Sequence, residues 1–489
     1  MSGRLSASSP LPAGVSPPGY VPEAHGRGIV HLGPGSFHKA HQAFYTDAAL
    51  AADGGDWRIL GVTLRGGRAL SELAPQDGRY TLLERGADGA RARVIGSVAG
   101  VASGAGGSDA ALAALTAPWC RVVTLTVTEK AYGLDRAAGG CASDHPAVSA
   151  DLASPESPRG VLGLIVRALA LRRRGGLAPF TVVCCDNLPR NGVLLSGAAA
   201  DFARRIDSDL GDWIASEVSF PSTVVDRITP APTERTCAEA ARLLGVEDRA
   251  AVETETFHQW VIEDDFPAGR PAWEAGGAIF VKNVGLYELM KLRVLNGTHS
   301  MLSYAGFHSG LVYVRDVMSD VSLSCLVRRY MSAAQATFDS PSGVDAGEYA
   351  RVLADRFSNP YLAHETRQIA MDGTEKLPQR VFAAALDARA RGIDIRPFAF
   401  ATAAWMFHAT ASGRGGAYEL IDPRAGEIRA CLRGVSTGSG VMSALFGLSD
   451  FMPVELSGDA DWRDAAAGIL EVMLSVGMRA AVEAEAVVD

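Results

Sequence analysis

Apolar residues in the first half of the chain fall in short runs, each closed by a turn and followed by a stretch of helical period. The first run is Gly28-Ile29-Val30-His31-Leu32, which ends in Gly33-Pro34-Gly35-Ser36. Helical periodicity over 37–52 leads to a second apolar run at 57–64. Strand, glycine turn, helix and strand make a βαβ unit. Two further runs, 80–84 and 92–97, flank Gly86-Ala87-Asp88-Gly89 and predict a hairpin. Continuous apolar runs at 121–127 and 180–185 predict buried strands, with an amphipathic helix at 161–174 between them. Strands alternating with helices predict an α/β fold with a mostly parallel, Rossmann-like sheet.

The pattern changes after Asn283. Segments 286–306, 320–338, 346–357, 378–391, 397–411 and 462–485 carry helical periodicity, and few β-branched runs remain. Three regions follow: a Ser-, Pro- and Gly-rich leader at 1–27, a Rossmann-like domain at 28–285, and a mainly α-helical C-terminal domain at 286–489.

Composition narrows the function. Hydrophobic residues make up 48% of the chain, enough for a large core and too many for a disordered one. A formal net charge of -9 lacks the basic footprint of a nucleic-acid binder. No apolar run approaches the ~20 residues of a membrane helix. The leader has no apolar h-region and reads as a loose segment, not a signal peptide. The seven cysteines are dispersed, with no C-x-x-C pair, and fit reduced thiols. These features predict a cytoplasmic protein, expected as a monomer or a small homo-oligomer, and say nothing specific about a small-molecule partner.

Gly33-x-Gly35 lies between a strand and a helix, where backbone N–H groups can approach a pyrophosphate. Ser36 and Phe37 open the helix, and His38 stands where a third glycine would be. A tight turn without a ligand is the competing reading. The second strand ends at Leu64-Arg65-Gly66-Gly67-Arg68, with no acid to hold a ribose 2′-hydroxyl. Arg65 and Arg68 suit a 2′-phosphate, so the cofactor is NAD or NADP; otherwise both arginines are simply solvated. His38-x-x-His41 has metal-ligand spacing but no Glu and no third ligand nearby, so a structural or cofactor-lining role is favoured and no metal is expected. Lys291, Asn296 and His299 fall at roughly 0°, 140° and 80° around an α-helix, on one side. A buried, neutral lysine there could take a proton from an alcohol, while Asn and His donate to the oxygen. An ordinary amphipathic helix is the alternative. Asn187 follows the buried strand at 180–185 and Glu129 the strand at 121–127, both at carboxyl ends where α/β ligand sites lie.

Several segments in order, GPGSFHKAHQA from Gly33, TLTVTEKAY from Thr124, CDNLPRNG from Cys185, TVVDRITP from Thr223, FHQWVIEDDF from Phe257, KLRVLNGTH from Lys291 and RFSNPYLAHETRQIAMDGTEKLPQ from Arg356, resemble the mannitol dehydrogenase family of polyol and aldonate oxidoreductases. The resemblance implies a metal-independent secondary-alcohol dehydrogenase with its site in a cleft between a Rossmann-like domain and a helical one. It implies Lys291 as general base, Asn296 and Asn187 as amides polarising the reacting oxygen, His299 orienting substrate, and Glu129 exchanging the proton with solvent. Arg367 and Glu288 would contact substrate; Gly33, Gly35, Ser36, Phe37, Arg65, Arg68 and Asp226 would contact cofactor. Gly66-Gly67 replaces the acidic pair of the family's NAD-preferring mannitol enzymes, and Ala131 stands where glycine is usual. TVTEKAYG and MDGTEKLPQR look more like the branch that interconverts D-fructuronate and D-mannonate, with D-fructose and D-mannitol the second expectation. The alternatives are another polyol dehydrogenase, a polyol phosphate dehydrogenase, a nucleotide-binding protein without turnover, and a metal hydrolase using His38 and His41.

Overall fold

The computed structural model describes residues 3–64, 66–86, 89–104, 106–136, 138–361, 363–413 and 418–487. Arg65 and the hairpin-turn residues Ala87 and Asp88 lie outside the described residues. The chain forms two compact units, the first ending at Val284 and the second starting at Gly285.

In the first unit the strands are β1 (Arg27–Leu32), β2 (Arg58–Thr63), β3 (Tyr80–Gly86), β4 (Gly89–Ile95), β5 (Val98–Ser103), β6 (Val122–Leu125), β7 (Thr181–Cys184), β8 (Thr223–Asp226), β9 (Val252–Glu255), β10 (Gln259–Glu263) and β11 (Ile279–Val281). Five of them make one parallel sheet in the order β7-β6-β1-β2-β5. The order reverses at β1: β2 lies to one side of it and β6 to the other. Ligands of open α/β sheets bind at the carboxyl ends of strands at such a reversal. Helices cover both faces, so the strands are apolar almost throughout; every residue of β6 and β7 is buried. The helix Val161–Arg174 has the predicted bounds.

Three smaller sheets of the described residues complete the unit, one of them only the antiparallel pairing of Leu134–Asp135 with Gly140–Cys141. The hairpin β3–β4 is antiparallel, with Tyr80 opposite Ile95 and Glu84 opposite Arg91, and β9 joins β3 in parallel. β8 pairs antiparallel with β10, and β11 extends β10 in parallel. The first residues are not a loose leader. Leu5 and Val15 are buried, Val15–Ser16 pairs with β4, and the Leu5 N–H donates to the Glu247 carbonyl at 2.8 Å. Two apolar side chains in a Ser- and Pro-rich segment suffice to dock it, which composition alone hides.

The second unit is helical. Asp320, Asp345 and Asp459 cap the helices Val321–Ala336, Ala346–Phe357 and Ala460–Val476 by accepting from backbone N–H groups. The predicted helix at 462–485 is two helices, because Gly477 at φ 93 breaks it before Met478–Ala486. Among the described residues no helix is long and apolar enough to cross a membrane.

Candidate active site

The candidate residues lie on both units: in the first, mostly about the carboxyl end of the parallel sheet, with Asp226 on β8 of a smaller sheet; in the second, on the helical run from Gly285 to His308, with Arg367 on a separate short helix.

On the sheet, β1 runs straight into the glycine turn. Gly33 has φ 88, and a Cβ there would collide with the Thr126 carbonyl. Its own carbonyl accepts from the Gly35 N–H at 2.7 Å and the Thr126 hydroxyl at 2.9 Å, and His31 Nε2 lies 3.3 Å away. His31 is fully buried in β1 opposite Thr124 of β6, with Nδ1 2.7 Å from the Thr124 hydroxyl and Nε2 2.8 Å from that of Thr126. Burial pushes His31 down to about 3, so the ring is neutral and acts as a fixed clamp. Gly35 differs from Gly33: it is exposed, and a Cβ added to it would meet only the Gly33 carbonyl, at 3.8 Å. The protein forces the first glycine, while the second leaves open space for a close-approaching ligand. That is the fit a dinucleotide requires.

The helix expected over 37–52 is broken. Ser36–Ala40 stops at His41 (φ -123, ψ -87), and Gln42–Asp53 starts anew. The His41 ring causes the stop. Its Nε2 meets the Gln259 carbonyl at 2.9 Å and its Nδ1 the Gln42 amide at 3.0 Å. Phe37 stacks on His41 with centroids 4.9 Å apart. His38 stacks on His31 at 3.5 Å, so a ring pair joins helix to strand where a third glycine would have allowed direct contact. Ser36 is half-buried at the helix start. Arg68 opens the helix Arg68–Leu73 after β2, and its Nε donates to Glu72 at 2.6 Å. Asp226 is buried at the end of β8.

The loop after β6 is held by Asp186, which the sequence reading passed over inside CDNLPRNG. Its carboxylate accepts from the Val127 N–H at 2.8 Å, the Thr128 N–H at 3.2 Å and the Tyr132 hydroxyl at 2.6 Å. Burial nevertheless raises its pKa above the ordinary carboxylate value. Thr128 is held at φ 77 and ψ 147. Glu129 follows at the surface, paired with Arg136 at 3.0 Å. Asn187 is exposed just past β7. The neighbouring amide, Asn191, is structural: it donates to the Cys184 and Thr223 carbonyls at 3.1 and 3.0 Å and accepts from the Thr223 N–H at 2.9 Å.

In the second unit Lys291 does not sit on a regular α-helix. The helix Gly285–Met290 passes into a π-helical turn, Lys291–Asn296, and continues as Gly297–His308. The α-helical angles assumed from sequence therefore fail at this motif. With i→i+5 hydrogen bonds, Lys291 and Asn296 stand roughly one turn apart, nearer one above the other than α-geometry allows. Lys291 and Asn296 are half-buried, as is Glu288 on the turn before. His299 is 7% exposed, stacks on Phe357 at 4.4 Å and meets the His364 ring edge-on at 5.2 Å. Its Nε2 is buried with no hydrogen-bond partner among the described residues, as is Nδ1 of His364. Desolvation holds His299 well below its ordinary value, assisted by His364, Arg380, Arg356 and Lys376. Lys376, whose Nζ donates to the Met371 carbonyl at 2.6 Å, is lowered too, first by burial and then by Arg380. Sequence reasoning missed these contributors to the field at His299 because they are spread over 356–380. Arg367 is exposed on the short helix Thr366–Ile369.

A parallel sheet reversing at a strand that ends in a glycine turn, followed by a helical unit, defines a two-part Rossmann-type protein. Comparison with known proteins makes the class specific. Residues 27–275 match the mannitol dehydrogenase Rossmann domain and 283–457 the mannitol dehydrogenase C-terminal domain. The chain is 41% identical over 445 residues to the uncharacterized oxidoreductase YeiQ of Escherichia coli, covering 90% of this chain and 91% of that one. It is 40% identical over 462 residues to the D-mannonate oxidoreductase of the same organism, covering 93% and 95%. The structure of Pseudomonas fluorescens mannitol 2-dehydrogenase, a ternary complex with NAD and D-mannitol, superposes with a TM-score of 0.85 at 34% identity, covering 97% of each chain. The chain belongs to the mannitol dehydrogenase family and is an oxidoreductase.

Proposed function

We propose that this chain is a metal-independent, NAD(P)-dependent oxidoreductase that interconverts a keto-sugar acid and its aldonate, with D-fructuronate and D-mannonate as the pair. The observation that carries the acid over a neutral sugar is the set of cations about His299: Arg356, Lys376 and Arg380, with His364. A positive field at His299 favours a carboxylate over a neutral sugar, and Lys376, 3.9 Å from Asp372, would share its charge between the two. The 40% identity to a D-mannonate oxidoreductase supports the same pair. The neutral pair, D-fructose and D-mannitol, is the second reading, favoured by the likeness to an enzyme solved with D-mannitol.

When bound, the nicotinamide accepts a hydride from the carbinol carbon or returns one to the ketone. The chain's own part is placement and proton transfer. Lys291 takes the hydroxyl proton through Nζ during oxidation and donates it, as ammonium, during reduction, a role worth about 10²–10⁴-fold in rate. Asn296 and Asn187 donate to the reacting oxygen, and His299 orients the sugar through its buried Nε2. Glu129, at the surface, passes the proton to solvent. Arg367 and Glu288 contact substrate. Gly33, Gly35, Ser36, Phe37, Arg68 and Asp226 line the cofactor.

Initial rates of NADH and NADPH oxidation with D-fructuronate, D-tagaturonate and D-fructose test the reading. Turnover of fructuronate with little of fructose is the expected result. Preference for fructose would move the chain to the second reading.

A further inference from the structure

On the reading that Lys291 moves the proton, we propose that Tyr330 and Gly297 are positioning residues that interlock two π-helical turns and so set where Lys291 stands against Asn296. The first π-turn is Lys291–Asn296; the second is Pro378–Phe382, between the helices Gly373–Leu377 and Ala383–Ala390. The two pack against one another. Such turns are rare departures from the α-helix, and each needs a cause. The second has one in its sequence: Pro378 brings no N–H for the α-helical bond. The first has none, because Lys291-Leu292-Arg293-Val294-Leu295-Asn296 holds neither proline nor glycine. What holds it must come from its neighbours.

Gly297, directly after the first turn, is packed so closely that a Cβ would lie 2.5 Å from the Tyr330 hydroxyl oxygen and 3.0 Å from the Arg380 carbonyl. That hydroxyl, on a fully buried ring, donates to the same Arg380 carbonyl at 3.3 Å, inside the second turn. Arg293, in the middle of the first turn, grips it from another side with a side chain 7% exposed. Its Nη1 donates to the Thr337 carbonyl and hydroxyl, both at 3.0 Å, and its Nη2 to Asp387 at 2.5 Å, on the helix that continues the second turn. The first turn carries Lys291 and Asn296; the second carries Arg380, which contributes to the field at His299. Groups read as acting on one substrate are thus joined through one buried hydroxyl and one glycine. Relaxation of the first turn to α-geometry would return Asn296 to roughly 140° from Lys291.

The test is steady-state reduction, with NADH, of whichever of D-fructuronate and D-fructose the wild type turns over, beside the NADH dissociation constant, for Tyr330→Phe, Gly297→Ala, the double variant and Lys291→Ala. Tyr330→Phe should lower kcat about tenfold, with KM and the NADH dissociation constant changed less than about twofold, as a small misplacement of a reacting group does. Gly297→Ala should lower kcat further. Adding Tyr330→Phe to it should recover at least about threefold of that loss, because the oxygen nearest the new methyl is gone. Asp387→Asn, which loosens Arg293 from a half-exposed position, should lower kcat about threefold with the same split, and it keeps the test open if the buried variants fail to fold. A wild-type kcat in Tyr330→Phe, a fall matched by an equal loss of NADH affinity, or additive losses in the double variant would overturn the proposal; where only Asp387→Asn folds, a wild-type kcat there does so. Near-wild-type kcat in Lys291→Ala, or turnover of neither keto-sugar by the wild type, would instead overturn the reading on which the proposal rests.

Discussion

Thr128 shows what the loop after β6 costs and what holds it. A β-branched residue at φ 77 and ψ 147 occupies a region costing about 1–3 kcal/mol. The Asp186 carboxylate, receiving two backbone N–H groups and the Tyr132 hydroxyl, offsets that strain and fixes the step into Glu129. Asp186→Ala leaves these donors without an acceptor and should lower stability by about 2–3 kcal/mol, with a larger fall in kcat than in cofactor affinity. Thr128→Gly should keep or raise stability, by up to about 1 kcal/mol, because glycine takes this backbone without strain. Chemical denaturation of both variants, followed by tryptophan fluorescence, checks the pair. Destabilisation by Thr128→Gly as large as that by Asp186→Ala would mean the threonine side chain, not its backbone, holds the loop.

At the scale of elements, the glycine turn separates a residue the fold needs from one the ligand needs. Gly33→Ala puts a Cβ against the Thr126 carbonyl at positive φ and should destabilise the protein by about 2 kcal/mol or more. Gly35→Ala meets no such contact and should keep the melting temperature while weakening NADH binding at least about tenfold. Thermal melts and NADH titrations of the two variants separate the effects; equal loss of stability in both would contradict the division. The turn was legible in sequence because an apolar strand, two glycines and a helical period stand side by side. Arg27–Leu32, Arg58–Thr63 and Val161–Arg174 were legible for the same reason: short apolar runs mark the strands and an amphipathic period marks the helix. Val98–Ser103 was not, since only Gly96-Ser97 separates it from β4 and its small residues extend the same run. Nor was the stop at His41, which depends on the Gln259 carbonyl, 218 residues away. Lys291, Asn296 and His299 could be named from sequence, but their phase could not. A π-turn changes hydrogen bonding without altering the spacing of Met290, Val294 and Leu295, so periodicity assigns an α-helix there.

At the scale of the molecule, buried neutral histidines set the acid limit. Burial pushes His31, His41 and His408 down to about 3, and His258 and His308 to about 4, from an ordinary 6.5. Unfolding frees each to take a proton, so between about 4 and 6.5 the unfolded chain binds more protons than the folded one, and stability falls as pH falls. Each histidine contributes at most about 1.4 kcal/mol per pH unit across that window. Asp47, Asp186 and Asp248, raised by burial, act in the opposite sense upward from their ordinary value of 3.8, and so offset part of the histidine effect. The urea midpoint at pH 5.5 should therefore lie clearly below that at pH 7.5; equal midpoints would mean these rings are accessible to protons in the folded state. Activity, on the proposed reading, draws on both units: the glycine turn for the cofactor and Lys291 for the proton. The most direct test is the rate of D-fructuronate reduction by Lys291→Ala beside its NADH dissociation constant. Removal of a proton donor that does not hold the cofactor should lower the rate at least about a hundredfold with NADH affinity changed less than about threefold. A rate near that of the wild type would remove Lys291 from the chemistry.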